Sequence, residues 1–277
     1  MKNKITLKGK AKILEEGDTK YVIKPKNKSV KDLFEYLDSR NYSSHPKIID
    51  ESDKEIKYEY VDGNKNNSLK ALAKHISNLH SSTTYYKDVS TSKYKNIYNK
   101  LIDNVDYLKD FYQRKIMEID NERYMSPSSY LLARNYSLFN SNLIFIEKEI
   151  NKWYNLVKDK TKERVAVVHN NLKKDNLLVG SEEVLTGWDK FIVDTPVLDL
   201  YKLYKNEYLD SDFEEMMTSY LEEYKLNKEE ICLFTFLISM PPSLKIKGSE
   251  LEKVKEVKSI VDYLNRTNKL IKSGVFD

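Results

Sequence analysis

The stretch VVHNNLKKDNLLVG, Val167 to Gly180, sets a polar loop between two apolar runs. His169, Asn171, Asp175 and Asn176 fall close together within it. Val165–Val168 predicts a short buried strand, and Gly180 predicts a turn. EVLTGW, Glu183–Trp188, predicts a second short strand. The polar side chains are therefore expected on a loop that leads into a hairpin spanning about residues 165–190.

Upstream, the first sixty residues alternate short segments rich in β-branched and aromatic residues with turn signals. KITLKG, KAKILEE and TKYVIKP predict three strands, with Glu16-Gly17-Asp18 as the turn between the last two. SVKDLFEYLDSR predicts a helix capped by Ser29, with Val30, Leu33, Phe34 and Leu37 on one face. HPKIIDESDKEIKYEYVDG predicts two more strands ending at Gly63. From Ser68 onward helical periodicity dominates. Leu69, Leu72, Ala73, Ile76 and Leu79 mark one helix, long patterns run from about 92 to 158, and the chain after LDLYKLYKNEY is helical. The expected fold class is α+β and bilobal. A small antiparallel-sheet lobe with one helix covers 1–63, and a larger, mostly helical lobe covers 64–277.

Composition limits the function classes. Hydrophobic residues are 40% and aromatic residues 12% of 277 positions, enough for a substantial core and unlike a disordered chain. The 47 basic and 43 acidic residues leave a net charge of +4, a solvated lysine-rich surface rather than a nucleic-acid footprint. One cysteine, Cys232, excludes an intrachain disulfide and sits in ICLFTFLISM, a run too short to span a bilayer. MKNKITLKGK has no apolar core of signal-peptide type, and the expectation is a cytoplasmic protein without membrane partners. Abundant Lys, Asn, Ile and Tyr point to an AT-rich, bacterial coding genome. The four histidines show no zinc-type spacing, and no G-x-S-x-G element is present.

The order of these elements, with HNNLKKDN (His169–Asn176), YEYVDG (Tyr58–Gly63), the Leu79-His80 helix end and DTPVLDL (Asp194–Leu200), resembles the aminoglycoside phosphotransferase and choline kinase superfamily, which has a protein-kinase-like fold. The likeness covers nearly the whole chain. Its closest look is that of kinase-like proteins associated with bacterial spore coats. The resemblance implies an ATP site. Lys24, ending YVIK, would meet the phosphates and pair with Glu35, while the backbone of Glu59, Tyr60 and Val61 would meet the adenine. His169 would organise the catalytic loop, and Asn176 would ligate a metal ion. His80 would be structural, and Asp199 would accept backbone hydrogen bonds from the loop.

Two departures stand inside this pattern. The loop His-Gly-Asp-x-x-x-x-Asn of the family carries Asn171 where its basic aspartate belongs. An amide orients a hydroxyl but takes up no proton. In LTGWDK, aligning Trp188 places Gly187 where the metal-binding aspartate belongs, which weakens any Mg²⁺ site. The phosphate loop is also poor, with only Gly9 flanked by Lys8 and Lys10. The leading expectation is a pseudokinase that binds a protein partner or a nucleotide. The alternative is an active small-molecule phosphotransferase acting on an alcohol, amino-alcohol or aminoglycoside, with Asp189 or Asp175 as substitute metal ligand or base. Asp189 was expected to share a strand face with Gly187.

Overall fold

The computed structural model describes residues 4–8, 11–65, 68–209, 212–242, 244–245 and 247–276. Gly9 and Lys10, and the side chain of Lys8, expected at the phosphate loop, lie outside the described residues. In chain order the elements are β1 (Lys4–Lys8), β2 (Ala11–Glu16), β3 (Thr19–Pro25), α1 (Lys31–Ser39), β4 (Ile48–Glu51), β5 (Glu55–Glu59) and β6 (Gly63–Lys65). Then follow α2 (Leu69–Thr83), β7 (Tyr85–Asp88), α3 (Thr91–Asp120), α4 (Pro127–Arg134), α5 (Tyr136–Val157), β8 (Lys162–Val168), β9 (Leu177–Gly180) and β10 (Glu183–Leu185). The chain closes with β11 (Ile192–Asp194), α6 (Val197–Glu207), α7 (Phe213–Glu223), α8 (Lys228–Ser239) and α9 (Glu250–Ile271). This is an α+β protein whose antiparallel sheet is built by the first sixty residues.

The chain gathers into two compact units. One holds Met1–Tyr85, Arg164–Glu207 and Glu215–Lys225. The other holds Tyr86–Glu163, Tyr208–Glu214 and Leu226–Asp277. The first runs on through α2 and takes in the His169 loop, and within it β6 pairs with β9 of the hairpin.

In the first unit the sheet runs β1-β2-β3-β5-β4, antiparallel throughout. Alternation puts Ala11 and Ile13 of β2, Val22 and Lys24 of β3, and Ile56 and Tyr58 of β5 on one face, and all six bound a single cavity. α1 buries Val30, Leu33, Phe34 and Leu37 as its periodicity predicts. Its cap differs from expectation, because Val30 occupies the N-cap without a side-chain hydrogen bond. α2 begins at a true cap, Ser68 Oγ accepting from Ala71 N at 3.3 Å, and its Leu72, Ala73, Ile76 and Leu79 have no solvent exposure. β9 and β10 form the expected hairpin, with Gly180 opposite Gly63. A Cβ at Gly180 would collide with the carbonyl oxygen of Asp62, so only glycine permits this approach of the two backbones.

The predicted strand EVLTGW is shorter than expected. β10 stops at Leu185, Gly187 turns into the left-handed region at φ 97°, and Trp188–Lys190 form a 3₁₀ turn. The premise that Asp189 lies on a strand with Gly187 is therefore corrected. β11 was not foreseen, because three residues are too few to show an alternation. It pairs with β8, Ile192 opposite Val168.

The second unit packs α3 on α5, α5 on α8 and α4 on α9. The long helical pattern breaks before Pro127, which starts α4 at a position where its missing N–H costs nothing. Cys232 is buried on α8, and burial pushes its thiol up to about 11. No described helix is long and apolar enough to cross a membrane.

Because Leu72 is fully buried in α2, Leu72→Ala should lower the stability of the chain by about 2–5 kcal/mol in urea unfolding. A change below about 1 kcal/mol would mean that α2 does not sit in the core described.

Candidate functional site

The His169 loop is held from below by one carboxylate. Asp199, near the start of α6, is fully buried. Its Oδ2 accepts the backbone N–H of His169 at 2.8 Å and faces Nε2 of His80 at 3.2 Å. Its Oδ1 accepts the backbone N–H of Asn170 at 2.6 Å. His80 turns its other nitrogen to the Tyr220 hydroxyl at 2.8 Å. His80 is thus a buried structural residue that supports the loop through Asp199.

α6 carries more of this anchoring than sequence reading assigned to it. Lys202 donates from Nζ to the Asn170 carbonyl at 3.1 Å and also to its side-chain oxygen. Asn206 donates to the Leu172 carbonyl at 2.8 Å, and Glu207 accepts the Lys174 backbone N–H at 3.1 Å. Asp199, Lys202 and Asn206 follow i, i+3, i+7 spacing and so share one helix face. That polar stripe was the available signal. Asn170 itself has φ 63°, a left-handed conformation that asparagine tolerates better than most residues, where the family's loop has glycine.

His169 is wholly buried. Its Nε2 lies 3.1 Å from the Thr186 carbonyl, which requires the hydrogen on Nε2 and leaves Nδ1 without a partner among the described residues. Burial, outweighing the opposing field of Asp199, lowers its pKa and keeps the ring neutral. Its ring meets Trp188 edge to face at 4.8 Å between centroids. Trp188 also touches Phe34 and Tyr42, and its indole N–H donates to the Leu185 carbonyl at 2.6 Å. The loop and the far side of the hairpin are thereby fixed to α1.

Above this floor lies a cavity of about 790 Å³. The sheet face described above lines it, together with Val30 and Phe34 and with Leu178 of β9. Glu59, Tyr60 and Val61 line its edge. The Tyr60 N–H is taken by the Lys20 carbonyl at 3.1 Å, whereas the Val61 N–H has no partner among the described residues. Lys24 reaches the cavity, and burial lowers its pKa against the opposing pull of Asp189. Glu35, the expected partner of Lys24, is exposed on α1, and no ion pair joins the two among the described residues. The correction follows from helix geometry. Phe34 takes the inward position, so its neighbour points away. The carboxylate whose charge acts on Lys24 is Asp189.

The remaining expected residues are placed as follows. Asn171 is half-buried on the loop. Asp175 forms an ion pair with Lys65 of β6. Asp189 lines the cavity from the 3₁₀ turn. Asn176 accepts the Lys173 N–H on Oδ1 at 2.7 Å, and a Cβ built on Gly187 would lie 2.7 Å from its Nδ2. Two lysines at the cavity were not singled out from the sequence, Lys28 and Lys65. Lys28 sits 3.6 Å from the Phe191 ring centroid and donates to the Phe191 carbonyl at 3.0 Å. Among 47 basic residues neither had a distinguishing spacing.

No family model matches the chain, and no curated protein matches it. Solved structures do. An aminoglycoside phosphotransferase from Alicyclobacillus acidocaldarius superposes with a TM-score of 0.65 at 10% identity, covering 97% of this chain and 91% of its own. The AMP-bound complex of spectinomycin phosphotransferase, APH(9)-Ia, gives 0.52 at 17% identity, covering 95% and 91%. The complex of the same enzyme with ADP and spectinomycin gives 0.50 at 16% identity, covering 99% and 93%. The chain has the kinase-like α+β fold of these phosphotransferases.

Two consequences are measurable. His169 is buried neutral, so the unfolded chain binds its proton more readily than the folded one. The stability this contributes is complete above the ordinary histidine value near 6.5 and is lost as pH falls below it toward the lowered folded value. Urea unfolding between about pH 7.5 and about pH 5.5 should show a loss that His169→Asn reduces, by up to about 1.4 kcal/mol per pH unit. An identical pH slope in the variant would contradict the neutral buried ring. Gly187→Ala forces a Cβ into a left-handed backbone and against Asn176. It should cost at least about 1–2 kcal/mol, and unchanged stability would show that the turn is not held at positive φ.

Proposed function

We propose that this chain is a pseudokinase, a kinase-fold protein that binds a nucleotide and does not transfer its phosphoryl group. The observation that carries the reading is a cavity of about 790 Å³ with Lys24 in its wall, beside a loop that has an amide at Asn171 and a turn that has Gly187. An adenine ring would lie in the cavity lined by the sheet face and Leu178, meeting the N–H of Val61, which has no partner among the described residues. Lys24 would meet the phosphates, whose negative charge offsets the cost of burying its ammonium. Asn171 can orient an acceptor hydroxyl but cannot take its proton, a loss of roughly 10²–10⁴ in rate. The phosphotransferases of like fold that hold AMP or ADP support the choice of ligand.

The role that follows is binding, with a protein partner reading the occupied or empty state of the cradle. The likeness in sequence to spore-coat-associated proteins makes a cytoplasmic bacterial assembly of that kind the setting we favour. A second reading, an active ATP-dependent small-molecule kinase, draws on Asp189. It lines the cavity and its charge acts on Lys24, which supports it as a candidate substitute metal ligand or base. Asp175 is a poorer substitute, since Lys65 already neutralises it.

ATP at roughly 100 times its dissociation constant should stabilise the protein by about 2.7 kcal/mol in thermal unfolding, and Lys24→Ala should remove the effect. No stabilisation by any nucleotide would overturn the proposal. Steady conversion of ATP to ADP, abolished by Asp189→Ala, would establish the second reading in its place.

A further inference from the structure

Magnesium is bound in kinase-like sites by carboxylate and carbonyl oxygens, with about six ligands at roughly 2.1 Å and little tolerance of distortion. The residues here do not fit it. The orientation of the Asn176 amide is fixed by chemistry, because only its oxygen can accept the Lys173 N–H that lies 2.7 Å away. Its Nδ2 is therefore the atom turned to Gly187, and it stands 2.7 Å from where a side chain at that position would begin. An NH₂ group donates hydrogen bonds and repels a cation. The left-handed backbone at Gly187 also disfavours the aspartate that would attract one.

The neighbouring carboxylates do not restore the site. Asp175 is tied to Lys65, and Asp189 lines the cavity as a single carboxylate whose charge is felt at Lys24. Among the described residues no group of three His, Cys, Asp or Glu side chains could hold a metal ion. What the cavity offers instead are ammonium groups, Lys24 on the sheet and Lys28 held over Phe191, which act on phosphate as point charges.

We infer that this site binds its nucleotide without a divalent cation, Lys24 and Lys28 neutralising the phosphates and the Asn176 amide donating to them. The inference rests on the nucleotide reading above and specifies how the polyphosphate is held.

Calorimetric titration of the full chain with ATP, once in excess EDTA and once in magnesium chloride, tests it. The dissociation constants should agree within about twofold. Binding that weakens about tenfold or more in EDTA would overturn the inference and leave the nucleotide reading standing. Absence of binding in both buffers would overturn the nucleotide reading itself, and this inference with it. Asn176→Asp supplies the second arm, since its carboxylate can still accept the Lys173 N–H. It should weaken binding in EDTA by about tenfold and make the affinity rise with added magnesium. If Asn176→Asp binds ATP in EDTA as tightly as the unaltered protein, the amide does not face the phosphates and the assignment fails.

Discussion

A single buried carboxylate sets the shape of the site. Asp199 has no exposure, yet it is surrounded by donors, two backbone N–H groups from the loop and the ring of His80. Hydrogen bonds to a charged acceptor contribute about 1.5–3 kcal/mol each, and leaving such a charge unpaired would cost several. The loop therefore has little freedom to adopt another course. Positive φ at Asn170 follows from this, because the chain must turn sharply to present consecutive N–H groups to one carboxylate. Lys202 and Asn206 complete the anchoring from the same helix face.

With the loop held this way, the proposed loss of catalysis rests on two positions. Asn171 offers an amide where the resemblance implies a carboxylate. Gly187 has no side chain, and the Asn176 amide stands where one would begin. The cavity itself carries Lys24, Lys28 and Lys65 alongside Glu59 and Asp189. The proposed nucleotide would bring its own negative charge to those lysines. The neutral, buried His169 and the Trp188 contacts serve the same geometry, since neither ring is available to move a proton at the cavity.

Much of this was legible in the sequence because it rests on local patterns. The strands of the first sixty residues and the apolar faces of α1 and α2 follow from alternation or periodicity, and the His-to-Asn spacing of the loop was carried by the resemblance. The Asp199 anchor was implied by resemblance and is found in place. What the sequence concealed depends on long-range geometry. Glu35 has suitable chemistry for Lys24, but the rotation of α1 sends Phe34 inward instead. Asp189 looked like a strand residue until Gly187 broke the strand. The orientation of the Asn176 amide is decided by the backbone N–H of Lys173, and no spacing reveals which end of an amide faces a cavity. Lys28 and Lys65 were hidden by the abundance of lysine.

The central claim is that a kinase loop has been retained for its shape while the site holds a nucleotide intact. Phosphorus NMR of ATP mixed with the full chain in EDTA, followed over hours, addresses this most directly. The β- and γ-phosphate signals should shift or broaden on addition of protein and remain those of ATP throughout, with the perturbation lost in Lys24→Ala. Growth of ADP and a second phosphorus signal at the expense of ATP would contradict the claim, as would ATP signals that do not respond to the protein.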